Sequence, residues 1–553
     1  MLKPRKIVIV GGVAGGATAA ARLRRRDENA QILLFERGAY VSFANCGLPY
    51  YIGDVITERD QLLVQTVEGL SQRFNLDIRT LSEVIAIDRR HQLVTIREVQ
   101  SGKTYEESYD TLLLSPGAQP IVPPITGLTE AKNVFTLRSI PDTDQINQFL
   151  DQHRPKTAIV VGGGFIGLEM AENLVQRGIQ VTVVELLNQV MAPLDYEMAA
   201  IVHQHLRQKG VRLILEDGVA SFAQQGRQVI LQSGTSLETD LVVLAIGVRP
   251  ENTLAVQADL AIGRRGGILV DDSLRTSDEH IYAIGDAIEI KDAFTGMPTQ
   301  IPLAGPANRQ ARLVADIICG DKRTYKGALG TAIVKVFDLT VATTGANEKT
   351  LRSSKRPYRV VHTHPASHAT YYPGGHSMAL KLLFHPETGA LYGAQGVGHE
   401  GVDKRIDVLA TAIRGGLTVF DLPDLELAYA PPYSSAKDPV NMLGYVASNL
   451  LEGMLKTIQY DEIDAVVAAG GFLIDVRDPE EVAKGSIPGS VNIPLGTLRQ
   501  RVGDVPKDQP IYITCQVGLR GYLAARILAA QGLTAMNLDG GYKTYSVASD
   551  DKH

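Results

Sequence analysis

The stretch KIVIV, Lys6–Val10, is an unbroken apolar run that stops at glycines, the pattern of a strand buried on both faces. Glycines punctuate Gly11–Gly16, and Ala17–Arg26 then carries small apolar residues at helical spacing with basic residues towards its end. A second run, Gln31–Phe35, closes on Glu36. The same order recurs over 157–185: TAIVV, the turn Gly162-x-Gly164-x-x-Gly167, a helix, another strand, then Glu185. From Gly330 to Tyr445 the pattern changes to short strands and helices without a glycine fingerprint. Asn449–Tyr460 predicts a connecting helix. From Ile463 onward a separate small α/β unit is expected, with strands Phe472–Asp475 and Ile511–Thr514 and a helix Gly521–Gln531.

Length divides these patterns into three or four domains, since the chain has 553 residues. A hydrophobic share of 44% is ordinary for a globular protein. Net charge is -6 with no long run of either sign, which argues against nucleic acid or an anionic membrane as partner. No run approaches the roughly 18 apolar residues of a membrane span. The apolar run after the basic start MLKPRK is too short for a signal peptide. Three cysteines exclude a disulfide framework and fit a reducing cytoplasm.

Each strand–glycine–helix unit is built for a dinucleotide. The glycine turn lets backbone approach a pyrophosphate, the helix N-terminus faces the phosphates, and the carboxylate ending the second strand holds ribose hydroxyls. The second motif is complete through Gly162, Gly164, Gly167 and Glu185. Glu185 would repel a 2′-phosphate, so NADH is expected there rather than NADPH. The first motif departs from the pattern at Val13, where the middle glycine of the register from Gly11 is replaced.

A later stretch, TSDEHIYAIGDA, resembles the second flavin motif of the flavoprotein reductases with two dinucleotide domains. That resemblance implies FAD in the first site, with Asp286 on the ribityl chain. LLLSPGAQP and LVVLAIGVRPENTL resemble the crossings between the two domains, around Ser115, Gly117 and Gly247. The flavin residues carried over are Gly11, Gly12, Ala14 and Gly15 in the turn, Glu36 and Arg37 beyond it, and Asn45, Val84 and Ala304. The implied architecture is α/β. It has an FAD-binding domain (1–118 and 252–327), an NADH-binding domain (119–251), an α+β dimerisation domain (328–448), a linker (449–461) and a further α/β domain (462–553).

SFANCGLPY, around Cys46, resembles the single-cysteine branch of the pyridine nucleotide-disulfide reductases: coenzyme A-disulfide reductases, NADH peroxidases and water-forming NADH oxidases. Relatives with two cysteines place the second five positions on, which here is Tyr51. The redox partner of Cys46 is then a sulfur from a small thiol, or the cysteine cycles through a sulfenic acid. A helix N-terminus and the flavin are expected to lower the pKa of the thiol. The peroxidases and oxidases carry a histidine inside the first glycine turn; here that position is Ala14.

LAYAPPYSSAKDPVN, Leu427–Asn441, resembles the C-terminal signature of coenzyme A-disulfide reductases. It implies a homodimer in which Tyr429 reaches the partner's site as a proton donor, with Tyr371 or Tyr372 as second tyrosine. Thr18, Arg22 and Arg25 on the first helix, with Arg73, Asn308 and Lys437, are implied to hold coenzyme A. Ser42 and Asn45 would line its pantetheine end.

The C-terminal unit resembles a single-domain rhodanese through Asp475-Val-Arg477, Gly489–Pro494 and Cys515 after a strand. Cys515–Arg520 would curl into a loop whose amides face the sulfur, with Arg520 adding positive charge to hold a thiolate and then a persulfide. Gly521 stands where serine is frequent, which leaves the sulfur donor open. The combined reading is an NADH-dependent coenzyme A-disulfide, persulfide or polysulfide reductase that releases hydrogen sulfide in the cytoplasm. The rivals are an NADH oxidase or peroxidase, and a flavin redox sensor docking partners through the rhodanese fold. Cys319 is expected to pack in the core. His362, His364 and His368 read as loop histidines rather than metal ligands, and no metal is expected.

Overall fold

The computed structural model describes residues 4–551, which divide into two compact units. One runs to Asn188 and resumes over Val211–Gly330; the other comprises Gln189–Gly210 and the chain from Thr331 on.

The first unit holds two parallel five-stranded sheets. In one, Lys6–Val10 lies between Gln31–Phe35 and Thr111–Leu114, with Asp77–Arg79 and Ile281–Ala283 at the edges. In the other, Thr157–Val161 lies between Gln180–Val184 and Leu241–Leu244. The two apolar runs read from the sequence are therefore the central strands, and the strand order reverses beside each of them. Ligands of doubly wound sheets bind at such points. The crossings Ala118–Pro120 and Val248–Pro250 pair with each other as an antiparallel ribbon. Each helix starts earlier than expected, at Ala14 and Phe165, because the turn needs only a few residues to reverse the chain.

The second unit contains an antiparallel five-stranded sheet ordered Ala332–Val336, Leu339–Gly345, Leu391–Gly398, Ala379–Phe384, Arg359–Thr363. It also contains a parallel sheet in which Ile511–Thr514 lies between Phe472–Asp475 and Ala535–Leu538. The connecting helix expected at Asn449–Tyr460 is corrected. Asp438 caps a helix over Pro439–Leu451, Gly453 follows in the left-handed region, and Thr457–Ile458 joins the C-terminal sheet as an edge strand. Among the described residues no helix is long and apolar enough to cross a membrane.

Candidate functional site

Both glycine turns solve one packing problem twice. Gly11 and Gly162 take φ of +96° and +108°, and a Cβ there would lie 2.1 and 2.4 Å from the carbonyl oxygens of Ser115 and Ala245. A Cβ on Gly16 or Gly167 would lie 1.8 or 2.0 Å from the carbonyl oxygens of Gly11 and Gly162, so glycine lets each helix sit against its strand. Gly164, which caps the second helix, has nothing within 4 Å of its Cβ position, leaving that approach open.

The acidic residues are oriented by backbone amides across the turns. Glu36 accepts from the N–H groups of Gly12 and Gly38, both at 2.8 Å. Glu185 accepts from Gly163 at 2.6 Å and Leu187 at 2.9 Å. Asp286 is half-buried, has no hydrogen-bond partner for its carboxylate among the described residues, and is pushed up to about 6 by that burial. An oriented carboxylate beyond each turn and an unpartnered one at Asp286 fit a flavin dinucleotide in the first site and a nicotinamide dinucleotide in the second. Nearby, Arg37 pairs with Glu251 at 3.5 Å and Asn45 donates to the Arg138 carbonyl at 3.2 Å. Ser115 follows the strand Thr111–Leu114, Gly117 turns at φ +74°, Val84 is buried in a strand, and Ala304 begins a helix. Gly247, at φ +118°, precedes the crossing strand.

Cys46 lies in a single turn of 3-10 helix, Asn45–Gly47, ahead of the short helix Leu48–Ile52. Its side chain reaches solvent, yet the expected lowering of its pKa is overturned in the chain itself. Desolvation by surrounding protein raises the thiol first, and the charges of Glu169 and Asp286 raise it further. A five-residue helix offers little dipole against two carboxylates. The sequence reading missed Tyr50 and Glu169. Tyr50, one turn after Cys46, donates to Glu169 at 3.3 Å, and burial holds the Glu169 carboxyl up at about 7. Both are ordinary polar positions in the sequence; only the packing of one helix on the other joins them.

The residues expected to hold coenzyme A fall into two groups. Thr18 donates to Asn308 at 2.7 Å, while Arg22 is tied to Asp316 at 2.7 Å. Arg25 and Arg73 converge from two helices on the Phe74 ring, 5.6 and 5.9 Å from its centre. Ser42 is held at φ 49° between the glycine turn and Val64, accepting from the Val64 amide. In the second unit Lys437 is exposed. There the Tyr371 and Tyr429 hydroxyls hydrogen-bond to each other at 2.8 Å, with 73% and 47% of these residues exposed. That bond raises the Tyr371 phenol. Tyr372 instead packs edge-on against His368.

Cys515 ends the strand Ile511–Thr514 and is buried, with the Gly518 N–H donating to its sulfur at 3.1 Å. The amides of Tyr542 and Lys543 donate to the carbonyls of Cys515 and Gln516 at 2.7 and 3.0 Å, so the last helix, Gly541–Asp550, backs the loop. Arg520 is not free to face the sulfur alone, because Glu481 takes both ends of its guanidinium at 2.6 Å.

Of the three histidines read as loop residues, His364 and His368 lie in loop and His362 is corrected. His362 lies in the strand Arg359–Thr363 and is buried, with its ring between Asp539 at 2.6 Å and Glu197 at 3.0 Å. Burial opposes the charged ring, but the two carboxylates raise it to about 9. His368 is buried too, and His364 bonds Thr544 at 2.8 Å. Asp195, Glu197 and Glu348 converge as a metal site would, yet the Lys381 ammonium stands among them at 2.9, 2.5 and 2.5 Å. Cys319 caps the helix Ala304–Ile318 and packs half-buried against the core.

A pyridine nucleotide-disulphide oxidoreductase model matches residues 5–311, the dimerisation-domain model of the same name matches 331–439, and a rhodanese-like domain model matches 458–548. Coenzyme A disulfide reductase of Staphylococcus haemolyticus (strain JCSC1435) is 39% identical over 447 residues, 81% of this chain and 100% of that protein. The solved structure of reduced Bacillus anthracis CoADR-RHD is 59% identical with a TM-score of 0.98, covering 99% of both chains. The NAD-dependent persulfide reductase from A. fulgidus is 38% identical with a TM-score of 0.91, covering 98% of this chain and 100% of that one.

Proposed function

The chain belongs to the pyridine nucleotide-disulphide oxidoreductase family and ends in a rhodanese-like domain, and from that premise we propose that it uses NADH to cleave the sulfur–sulfur bond of coenzyme A disulfide or persulfide at Cys46. It is an FAD-dependent oxidoreductase. The observation that carries this reading is that Cys46 has no second thiol to close onto. Tyr51 holds the partner position, Cys319 caps the helix Ala304–Ile318, and Cys515 belongs to the rhodanese domain.

FAD, when bound, relays two electrons from nicotinamide to sulfur. The protein does the rest. Gly164 and the helix behind it receive the nicotinamide dinucleotide, and Glu185 favours an unphosphorylated ribose, hence NADH. The Cys46 thiolate attacks the substrate sulfur, a mixed disulfide forms on Cys46, and one thiol or hydrosulfide leaves. The Tyr371–Tyr429 pair stands outward on the unit that carries the dimerisation domain. That placement supports its donating the proton to the leaving group in the partner's site of a homodimer. Two electrons then split the mixed disulfide, which returns Cys46 to its thiolate and releases the second thiol. Arg25 and Arg73 offer cations to coenzyme A phosphates, and Lys437 does so from the partner. Cys515 handles sulfane sulfur, so polysulfide joins the substrates and hydrogen sulfide the products, in a reducing cytoplasm.

Steady-state NADH oxidation with coenzyme A disulfide, coenzyme A persulfide, polysulfide, oxygen and peroxide tests the reading. The expected result is fast turnover with the sulfur substrates and hydrosulfide release from the persulfide. Oxygen or peroxide turnover exceeding that with every sulfur compound overturns it, and Ala14 in the glycine turn argues against that outcome.

A further inference from the structure

The mouth of the Cys515 loop sets two cations against three carboxylates. Two guanidinium groups stand beside it, and each is taken by a carboxylate. Arg477, 1% exposed, holds Asp475 through Nε at 3.0 Å and Nη2 at 2.7 Å. Arg520, in the first turn of the helix Leu519–Ala529, donates from Nη1 and Nη2 to the two oxygens of Glu481, both at 2.6 Å. Asp478 adds a second carboxylate 3.6 Å from Nη1. Fork-to-fork pairing of this kind uses the same two donors with which an arginine would grip an oxyanion. The bond to Arg520 holds the Glu481 carboxyl down at about 2, so it stays ionised at every working pH. Gln516 in the loop accepts from Arg477 at 3.3 Å, and two leucines add apolar surface: Leu519, inside the loop, and Leu523, one turn on, are 60% and 45% exposed.

We propose that Glu481 sets the sulfur donor of this domain: by occupying the Arg520 fork it makes Cys515 accept sulfane sulfur from an organic persulfide and reject thiosulfate and similar inorganic dianions. This rests on Cys515 being the sulfur carrier and names its donor class, which the glycine at 521 left open. In the accepted reaction the Cys515 thiolate attacks the outer sulfur of R–S–SH. The donor S–S bond breaks with its electron pair on the inner sulfur, which takes the proton and leaves as R–SH, and Cys515 keeps a persulfide anion. With thiosulfate the same attack would expel sulfite. The sulfonate oxygens then need a free guanidinium, which Glu481 denies them, and a carboxylate at the mouth repels the dianion.

The test loads the full-length holoenzyme with coenzyme A persulfide or with thiosulfate and follows the mass gain of one sulfur on the Cys515 peptide. Thiocyanate formed on adding cyanide is a second readout, and Cys515→Ser supplies the background. Wild type is expected to load from coenzyme A persulfide and poorly from thiosulfate. Glu481→Gln, and independently Glu481→Ala, should raise the ratio of thiosulfate to coenzyme A persulfide loading about tenfold or more, as expected for uncovering one bidentate guanidinium. Adding Arg520→Gln should cancel the gain. A ratio unchanged in both Glu481 variants overturns the donor assignment while leaving Cys515 as carrier. Loading of wild type from neither compound overturns the carrier role itself.

Discussion

Replacing Asp539 by asparagine removes one charge from a buried cluster while keeping its shape. His362 faces Asp539 beyond the last strand of the C-terminal sheet, Glu197 on the helix Tyr196–Gln208, Lys381 on the neighbouring strand and His364 two residues on. Its ring is raised from an ordinary 6.5 to about 9. At about 1.4 kcal/mol per tenfold change in proton affinity, that rise contributes roughly 3 kcal/mol to the folded state. Because the folded value is the higher one, the contribution is full below 6.5 and is lost as pH climbs through about 9. Burial lowers Lys349 and Lys543 near the cluster, and wild type and variant share their titration. Lys381 is raised well above its ordinary value and stays charged, Tyr460 is pushed up by burial, and His364 is held down at about 3 and stays neutral. Pulse proteolysis across a urea series reads the unfolding of the C-terminal region at each pH. Wild type should lose about 3 kcal/mol across the window and Asp539→Asn less than about 1 kcal/mol. Parallel pH profiles for the two proteins would refute the charged pair.

Other expectations follow from the sites. Glu169→Gln removes a carboxylate that raises the Cys46 thiol, so the pH profile of Cys46 alkylation by iodoacetamide should move to lower pH; no movement, or movement upward, contradicts the assignment. Tyr371→Phe and Tyr429→Phe should each lower kcat with coenzyme A disulfide by about 10- to 100-fold while leaving NADH-driven bleaching of the flavin intact. The double variant should fall little further, because the two hydroxyls share one hydrogen bond.

Much of the fold was legible because buried parallel strands leave an unmistakable apolar run and the glycine turns are forced by contact distances of about 2 Å. Cys46, Cys515 and the acidic strand ends were singled out by the motifs around them: SFANCGLPY, a cysteine after a C-terminal strand, and a carboxylate closing each strand–glycine–helix–strand unit. What escaped the sequence were pairings across elements. Nothing in the spacing joins Glu481 to Arg520, 39 positions apart, or Tyr50 to Glu169, 119 apart. His362 read as a loop residue because its partners, Glu197 and Asp539, come from segments 165 and 177 positions away. The thiol of Cys46 was expected to be acidic from its place before a helix. That helix proved to be five residues long and outweighed by burial and two carboxylates. The expected connecting helix was misplaced because Gly453, rather than a change in composition, ends the preceding helix.

The most direct measurement is hydrosulfide release from coenzyme A persulfide by Cys46→Ser, with NADH and the flavin spectrum followed in the same cuvette. The flavin should still be bleached by NADH, with no hydrosulfide above background. Hydrosulfide formed at the wild-type rate would contradict attack by Cys46.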